Sequence, residues 1–282
     1  MSSFPPQGAG PGAASGRERL ASRLATLVLI LAWPLALFGP ACLAGGLLAP
    51  GDGLGYYLPT RAIAALGWLA GAPPFWNPFH FGGMPLLAAV QAGAFFPGNL
   101  PFLFLAPGPA MNATVLLAYA TAGAGAWAYA VALGLPAAAA LVAGLAFMGA
   151  GYMVAHLEHL TMLQAAGLIP WLFLAVERAC ATGRARWALL LAPLLALQLF
   201  AGYPQTTMIS GLLLAPYALS RAWGHGLRPG LVTLGWLAGA AGLGVGLAMI
   251  QLLPTADLLA ASPRGQVPYA ELVDHSWPLR EL

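Results

Sequence analysis

The chain has 282 residues, of which 60% are hydrophobic and 7% are charged, and its formal net charge is +3. Soluble domains carry about 25% charged residues, so this composition excludes a soluble globular protein and indicates an integral membrane protein. All 11 basic residues are arginines scattered between apolar runs, which excludes the concentrated basic surface that nucleic-acid binding requires.

The N-terminal residues 1–24 are rich in Ser, Gly, Pro and Ala and contain Arg17, Arg19 and Arg23. This composition predicts a disordered cytoplasmic tail. The apolar run that follows is longer than the hydrophobic region of a signal peptide, which spans about 7–15 residues, and no small-residue cleavage site ends it. We therefore expect an uncleaved membrane anchor.

Residues 25–255 form the predicted polytopic membrane domain, in which apolar runs approach the roughly 20 residues that a helix needs to cross a bilayer. Turns around Gly134 and Gly202 are the least distinct boundaries between runs. The sequence predicts an all-α integral membrane protein with about seven transmembrane helices, at residues 25–48, 110–133, 137–155, 162–178, 187–202, 205–221 and 231–253.

The arginines predict the orientation of these helices. With the N-terminus in the cytoplasm, eight of the 11 arginines lie inside, whereas Arg61, Arg264 and Arg280 lie outside. This asymmetry is the one that the positive-inside rule requires. Residues 177–187 and 221–230 are then cytoplasmic loops that set the orientation.

The outer segment 50–108 is too long to be a simple loop in a compact domain. It is expected to form short helices at the membrane interface, with residues 56–70 the best candidate. Three glutamines, Gln164, Gln198 and Gln251, fall in the outer third of their predicted helices. Because a buried amide needs a partner, their shared depth predicts a polar cavity that opens outward.

Residues 71–99 combine six Phe and Trp residues with many Pro and Gly residues. Flat aromatic rings such as that of Trp76 pack well against the apolar face of a sugar, and Asn77, His80 and Gln91 could bind its hydroxyls. The alternative is an aromatic belt at the level of the lipid headgroups.

Two further outer segments carry polar side chains. In "HLEHL", His156 and His159 flank Glu158 at a spacing that could share a helical face, but the third protein ligand that zinc usually needs is not evident. The imidazoles could instead bind a phosphate near the membrane surface. In "AGYPQTT", Tyr203 and Gln205 belong either to a ligand contact or to a plain proline turn.

Asp52 lies just beyond the first apolar run, between two glycines in "APGDGLGYYLPTR". Such a carboxylate is commonly a solvated turn residue. The functional alternative is a general base that takes a proton from an acceptor hydroxyl. Its position at the edge of the hydrocarbon would suit a lipid-linked donor whose phosphate lies at that depth.

Four stretches, taken in this order and separated by the predicted spans, resemble the bacterial membrane protein YfhO family: "GDGLGYYLPTR", "PFWNPFHFGGMPLLAAVQAGAFFPGN", "HLEHLTMLQAAGLIPWLFLAVER" and "LQLFAGYPQT". The similarity runs from about residue 25 to the end. That family is related to the GT-C type of polytopic glycosyltransferases, so the resemblance implies a GT-C-like fold. Because family members continue with further spans, the tail at residues 256–282 is expected to be a truncated outer segment and the chain to be an N-terminal portion.

The resemblance implies a glycosyltransferase that moves a sugar from a polyprenyl phosphate to a cell-envelope glycan or lipid, on the outer face of the bacterial inner membrane. Asp52 matches the acidic residue of the first outer loop and would be the catalytic base. Whether a divalent metal joins it is open. The substrate-binding residues implied are Tyr57, Arg61, Trp76, Asn77, His80, Gln91, His156, Glu158, His159, Tyr203 and Gln205. The alternatives are a transporter or flippase, and a non-catalytic membrane scaffold.

Overall fold

The computed structural model describes residues 16–224, 226–263, 267–269 and 273. Several sequence predictions therefore fall outside the described residues: the first 15 residues of the N-terminal tail, Arg264 and Arg280 of the outer arginines, and residues 264–266, 270–272 and 274–282 of the C-terminal tail.

The described chain is almost entirely helical. Its α-helices are α1 (Gly16–Leu43), α2 (Leu58–Leu69), α3 (Pro107–Ala132), α4 (Ala137–Met148), α5 (Gly151–Ala155), α6 (Leu160–Gly167), α7 (Ile169–Thr182), α8 (Ala185–Leu189), α9 (Leu191–Phe200), α10 (Pro204–Trp223), α11 (Leu227–Leu247) and α12 (Met249–Ala260). The segment between α1 and α3 also contains a π-helical turn (Gly53–Tyr57), a 3-10 helix (Pro97–Leu103) and an antiparallel hairpin of strands β1 (Trp76–Asn77) and β2 (Met84–Pro85).

Long apolar helices confirm the prediction of an all-α membrane protein. Within the described residues, five segments are long and apolar enough to cross a bilayer: Gly16–Leu43, Pro107–Ala132, Ala137–Ala155, Leu160–Thr182 and Leu227–Leu247. Two of the seven predicted spans are not among them: the apolar segment Ala185–Phe200 is shorter, and α10 has 20 residues but a lower apolar content. The count of seven, like the GT-C-like fold, stays a prediction.

Several predicted boundaries need correction because helices continue beyond the apolar runs. Helix α1 begins at Gly16, so residues 16–24 are helical and not disordered. Glu177 lies within α7 and Arg221 lies within α10, so neither belongs to a loop. Arginine side chains can bury their stems along an apolar surface while the charged end reaches water, which lets a helix extend past the hydrocarbon.

Helix α3 is the central element and contacts α1, α4, α6 and α7. Its neighbours approach closely because the contacts are made by small residues. A Cβ atom added at Gly144 of α4 would lie 2.9 Å from the carbonyl oxygen of Gly123 in α3 and 2.4 Å from Cδ1 of Ile30 in α1. The opposite surface of α1 is apolar and exposed, at Leu24, Val28, Leu31 and Leu35, as expected of a helix that faces lipid.

An ion pair with a buried carboxylate joins α7 to α10. Arg221 donates from Nε to Oε2 of Glu177 at 2.7 Å and from Nη2 to Oε1 at 2.5 Å, which is a bidentate arrangement. Tyr217 also donates to Glu177 Oε2 at 2.6 Å. The Glu177 side chain is 3% exposed, so its charge depends on these partners rather than on water.

Connections between helices gather at the two ends of the bundle. At one end, the turn after α1, the bend between α5 and α6 and the turn between α9 and α10 contribute Asp52, His159 and Tyr203 to one cavity. At the other end, Arg19 and Arg23 of α1 lie beside the turn between α3 and α4. Residues that the sequence predicts to share a side of the membrane therefore lie together.

Replacing Arg221 by Met is expected to lower the free energy of unfolding by about 3 kcal/mol, because it leaves the Glu177 carboxylate buried without its cation. Removing one partner of a fully buried ion pair costs about 3–5 kcal/mol, and the lower value applies here because the Arg221 side chain is 44% exposed. Unfolding by denaturing detergent in mixed micelles measures the effect. The exposed Arg184 provides the control, and Arg184→Met should change stability by less than about 0.5 kcal/mol.

Adding Glu177→Gln to Arg221→Met should restore most of the lost stability, because the double variant no longer buries a carboxylate whose bidentate partner has been removed. If the double variant is no more stable than Arg221→Met, the loss came from packing and not from the charge of Glu177.

Candidate functional site

Five of the 12 predicted site residues line one cavity of about 370 Å³, which we call the Asp52 cavity. These five residues come from four separate segments of the chain. The full lining consists of Asp52, Tyr56, Tyr57, Gln91, His159, Met162 and Tyr203. A volume in this range is typical of pockets for small ligands, which span about 300–1,000 Å³.

Asp52 lies in a turn that follows α1 and immediately precedes the π-helical turn. Gly51 allows this turn because its φ is +49°, a conformation that residues with a side chain rarely adopt. The Asp52 side chain is 67% exposed, and its Oδ2 lies 3.8 Å from His159 Nε2. That distance exceeds a hydrogen bond, so the carboxylate faces the cavity with its acceptor positions available.

The bend between α5 and α6 carries His156, Glu158 and His159, of which only His159 lines the Asp52 cavity. His159 Nδ1 lies 4.0 Å from Glu158 Oε1, and the ring centroids of the two histidines are 5.5 Å apart. His156 Nδ1 is hydrogen bonded to the carbonyl oxygen of Tyr152 at 2.8 Å. Glu158 also contacts the Asp52 turn, because a Cβ atom added at Gly51 would lie 1.9 Å from Glu158 Oε2.

Two of the three tyrosines in the lining, Tyr57 and Tyr203, are predicted site residues. Tyr57 is 3% exposed, and its hydroxyl shares a hydrogen bond with Thr161 Oγ1 at 3.2 Å. Burial raises the pKa of Tyr57 above its usual 10.0, although the Thr161 hydrogen bond and the nearby Arg61 act in the opposite direction. Tyr203 donates a hydrogen bond to Gln205 Oε1 at 2.8 Å, which connects the exposed Gln205 to the cavity lining.

The turn between α9 and α10, which carries Tyr203, contacts the loop that carries Gln91. Gly202 has a φ of +91°, and a Cβ atom added there would lie 2.5 Å from the carbonyl oxygen of Val90 and 3.1 Å from Cα of Gln91. This backbone contact fixes the separation of Gln91 and Tyr203 across the cavity.

A metal site requires a set of ligands that the described residues do not supply. No group of three or more His, Cys, Asp and Glu residues within the described ranges could hold a metal ion. Asp52, Glu158 and His159 come nearest, but zinc usually takes three or four protein ligands at about 2.0–2.3 Å. We therefore assign no chemical step to a metal.

Arg61 lies behind Tyr57 and outside the Asp52 cavity. It is 1% exposed, its Cζ lies 6.0 Å from the centroid of the Tyr57 ring, and its Nη1 donates a hydrogen bond to the carbonyl oxygen of Gln91. Burial lowers the pKa of Arg61 to about 10, so the side chain stays charged at neutral pH. It forms part of the wall of a second cavity of about 410 Å³, which we call the Arg61 cavity.

The hairpin places Trp76, Asn77 and His80 outside the lining of the Asp52 cavity. The Trp76 ring packs over Gly83, where an added Cβ atom would lie 2.4 Å from it. Asn77 is fully buried; its Oδ1 accepts a hydrogen bond from the Phe79 N–H at 2.9 Å, and its Nδ2 is 2.5 Å from His80 Nδ1. Both ends of the Asn77 amide are thus engaged within the hairpin turn.

The three deep glutamines do not share one cavity as their depth predicted: none lines the Asp52 cavity, and Gln164 lines a separate cavity with Thr114 and Leu168. Each one bonds a neighbouring segment instead. Gln164 Nε2 donates to Asn99 Oδ1 at 2.8 Å, and Gln198 Nε2 donates to the carbonyl oxygen of Ala165 at 3.0 Å. Gln251 Nε2 donates to the carbonyl oxygen of Leu87. The amide nitrogens thus bond within the protein, whereas Oε1 of Gln164 and Oε1 of Gln198 are buried without a hydrogen-bond partner among the described residues.

Sequence reasoning missed two residues of the cavity lining, Tyr56 and Met162. Tyr56 directly precedes Tyr57, and this pair of adjacent tyrosines was the one signal in the sequence. Both side chains reach the cavity because a π-helical turn changes the spacing at which side chains share a face. Nothing in the sequence distinguishes Met162 from the other apolar residues of its helix.

In three comparisons, no protein-family model, no curated protein and no solved structure matches this chain. The resemblance to the YfhO family therefore stays a hypothesis that depends on the four sequence stretches alone.

Gly202→Ala is expected to destabilise the protein more than Gly134→Ala does. Both glycines have a positive φ, +91° and +86°, so each alanine costs about 1–2 kcal/mol. Only Gly202 faces backbone atoms, whereas nothing lies within 4 Å of a Cβ atom at Gly134, so overpacking should add about 1–3 kcal/mol. Unfolding in mixed micelles measures both. Equal losses would show that the Tyr203 turn and the Gln91 loop are not held by this contact.

The hairpin tip is expected to lie in the lipid headgroup region. Phe79 and Phe81 are 75% and 92% exposed, and no Asp, Glu, Lys or Arg occurs between Arg61 and Glu158, a pattern typical of interfacial aromatic residues. An environment-sensitive dye on Phe81→Cys, with Cys42 and Cys180 replaced by Ala, should be quenched by spin-labelled lipid. A dye on Thr182→Cys is the control. Quenching by aqueous iodide alone would favour a sugar-binding platform.

Proposed function

We propose that the chain is a GT-C-like glycosyltransferase of the YfhO type, which transfers a sugar from a polyprenyl phosphate to a cell-envelope glycan or lipid. The N-terminus would lie in the cytoplasm of a bacterium and the Asp52 cavity would open on the outer face of the inner membrane. The support is the resemblance together with one structural observation: Asp52, Tyr57, Gln91, His159 and Tyr203 line a single cavity.

In the proposed reaction, Asp52 accepts the proton of an acceptor hydroxyl while that oxygen forms a bond to the anomeric carbon of the sugar. The bond between that carbon and the donor phosphate oxygen breaks, and its electron pair leaves with the phosphate. Attack from the face opposite the phosphate inverts the anomeric configuration. A carboxylate suits this task only if it is within hydrogen-bond reach of the hydroxyl, and the exposure of Asp52 permits that approach.

The two imidazoles are the groups proposed to receive the departing phosphate. His159 lines the cavity and His156 lies next to it, and a protonated imidazole both donates a hydrogen bond and neutralises negative charge. Gln91, Tyr203 and the attached Gln205 would bind sugar or acceptor hydroxyls. Arg61 lies behind Tyr57, so we propose no direct contact between it and a donor phosphate in this cavity.

Asp52→Asn is expected to lower transfer at least about 100-fold, because an amide cannot accept the proton. Membranes containing the chain would be incubated with a radiolabelled polyprenyl-phosphate sugar, and label in the acceptor fraction would be counted. Asp257→Asn is the matched control, since Asp257 is an exposed carboxylate of α12 outside the cavity lining.

Transfer by Asp52→Asn at the wild-type rate would remove Asp52 from the mechanism. Solute flux across proteoliposomes without covalent transfer would favour a transporter or flippase instead. A wild-type chain inert with several donors, in which alanine at Asp52, His159 and Tyr203 alters stability only, would favour a scaffold.

A further inference from the structure

The Arg61 guanidinium is buried with most of its five N–H donors unused. Only Nη1 donates, to the carbonyl oxygen of Gln91. Nε and Nη2 have no hydrogen-bond partner among the described residues, although both are buried. A buried charge without a counter-charge is costly, and proteins normally pair it or hydrogen bond it fully. These two nitrogens form one edge of the planar group.

The same chain shows what this edge binds. In the α7–α10 ion pair, Arg221 uses Nε and Nη2 to hold the two carboxylate oxygens of Glu177. Two parallel N–H donors match an anion with two oxygens at carboxylate or phosphate spacing. Arg61 presents the identical pair of donors, and within the described residues no salt bridge to Arg61 occurs.

The Arg61 guanidinium contacts residues that line the Arg61 cavity. A Cβ atom added at Gly93 would lie 2.9 Å from both Cζ and Nη2 of Arg61 and 2.8 Å from Nδ2 of Asn99. Gly93, Asn99 and Arg61 all line the cavity. The guanidinium therefore packs against Gly93, a residue of the cavity lining.

Apart from Arg61 and Asn99, the side chains that line the Arg61 cavity are apolar or aromatic. Its walls come from α2, the loop after the hairpin and the 3-10 helix, and the large side chains among them are Trp68, Phe95, Phe96, Leu100, Phe102 and Leu103. The Trp68 indole donates to the carbonyl oxygen of Ala94 at 3.1 Å, so its polar atom is already satisfied. A ligand for this cavity combines one anionic group with a hydrocarbon body.

We infer that the Arg61 cavity binds a single-chain amphiphile whose carboxylate or phosphate head pairs with Nε and Nη2 of Arg61 and whose hydrocarbon stem lies among the aromatic side chains. The two nitrogens are covered in the structure, so the head reaches them only when the segment at Gly93, which packs against the guanidinium, moves aside. This site does not depend on glycosyl transfer, because it lies behind Tyr57 and shares no lining residue with the Asp52 cavity.

The test uses the purified full chain in nanodiscs of phosphatidylcholine, with a long-chain fatty acid that carries a photoreactive diazirine. After irradiation, mass spectrometry should locate adducts in residues 61–69 and 92–103. Unlabelled dodecanoate or dodecyl phosphate should compete at least about tenfold better than dodecanol, because only the anions can pair with Arg61. Whichever anion competes better identifies the source of the head group.

Arg61→Gln should reduce labelling at least about tenfold, whereas Arg186→Gln, which removes an exposed arginine, should leave it unchanged. Dodecanoate should also raise the Tm of the wild type and not that of Arg61→Gln. The Tm of ligand-free Arg61→Gln should equal or exceed that of the wild type, since the variant no longer buries an unpaired charge. Equal competition by dodecanol, or wild-type labelling of Arg61→Gln, would overturn the inference.

Discussion

Close approach of helices through small residues is the constraint on which the rest of the structure depends. In lipid, apolar side chains gain little by leaving the solvent, so helices associate through backbone proximity and van der Waals contact. The Gly123 and Gly144 contact brings α3 and α4 together and leaves a recess for Ile30 of α1. Because the positions of these helices fix where their connecting turns emerge, the meeting of the Asp52, His159 and Tyr203 turns follows from that packing.

Sequence patterns predicted the parts of the site that depend on which end of a helix a residue occupies. Asp52, His159 and Tyr203 all follow or precede apolar runs, and alternation of spans was enough to bring them to one end. The same logic failed for Gln164, Gln198 and Gln251, because depth does not reveal which way a helix faces. The hydrogen bonds of Asn77 depend on the hairpin turn, and the burial of Arg61 depends on how Gln91 folds back; neither has a periodic signal.

The Asp52 cavity and the Arg61 cavity differ in polarity, although Gln91 and Tyr57 lie between them. Gln91 lines the Asp52 cavity with other polar groups and accepts a hydrogen bond from Arg61 through its carbonyl oxygen. Tyr57 lies between the Asp52 side and the guanidinium. A carboxylate exposed to water and a cation enclosed by aromatic rings are thus separated by one residue layer, so a change in the Gln91 loop affects both.

The contacts of α12 determine when the loop that carries Gln91 can reach its final position. Gln251 and Thr255 donate hydrogen bonds to the carbonyl oxygens of Leu87 and Ala88, 164 and 167 positions earlier in the chain. Proteins are synthesised from the N-terminus, and local contacts form before distant ones. Helices α1, α3 and α4 can therefore pack as they emerge from the ribosome, whereas the segment leading to Gln91 waits for α12. Packing of α1, α3 and α4 thus precedes the final placement of the Gln91 loop, which lines the Asp52 cavity.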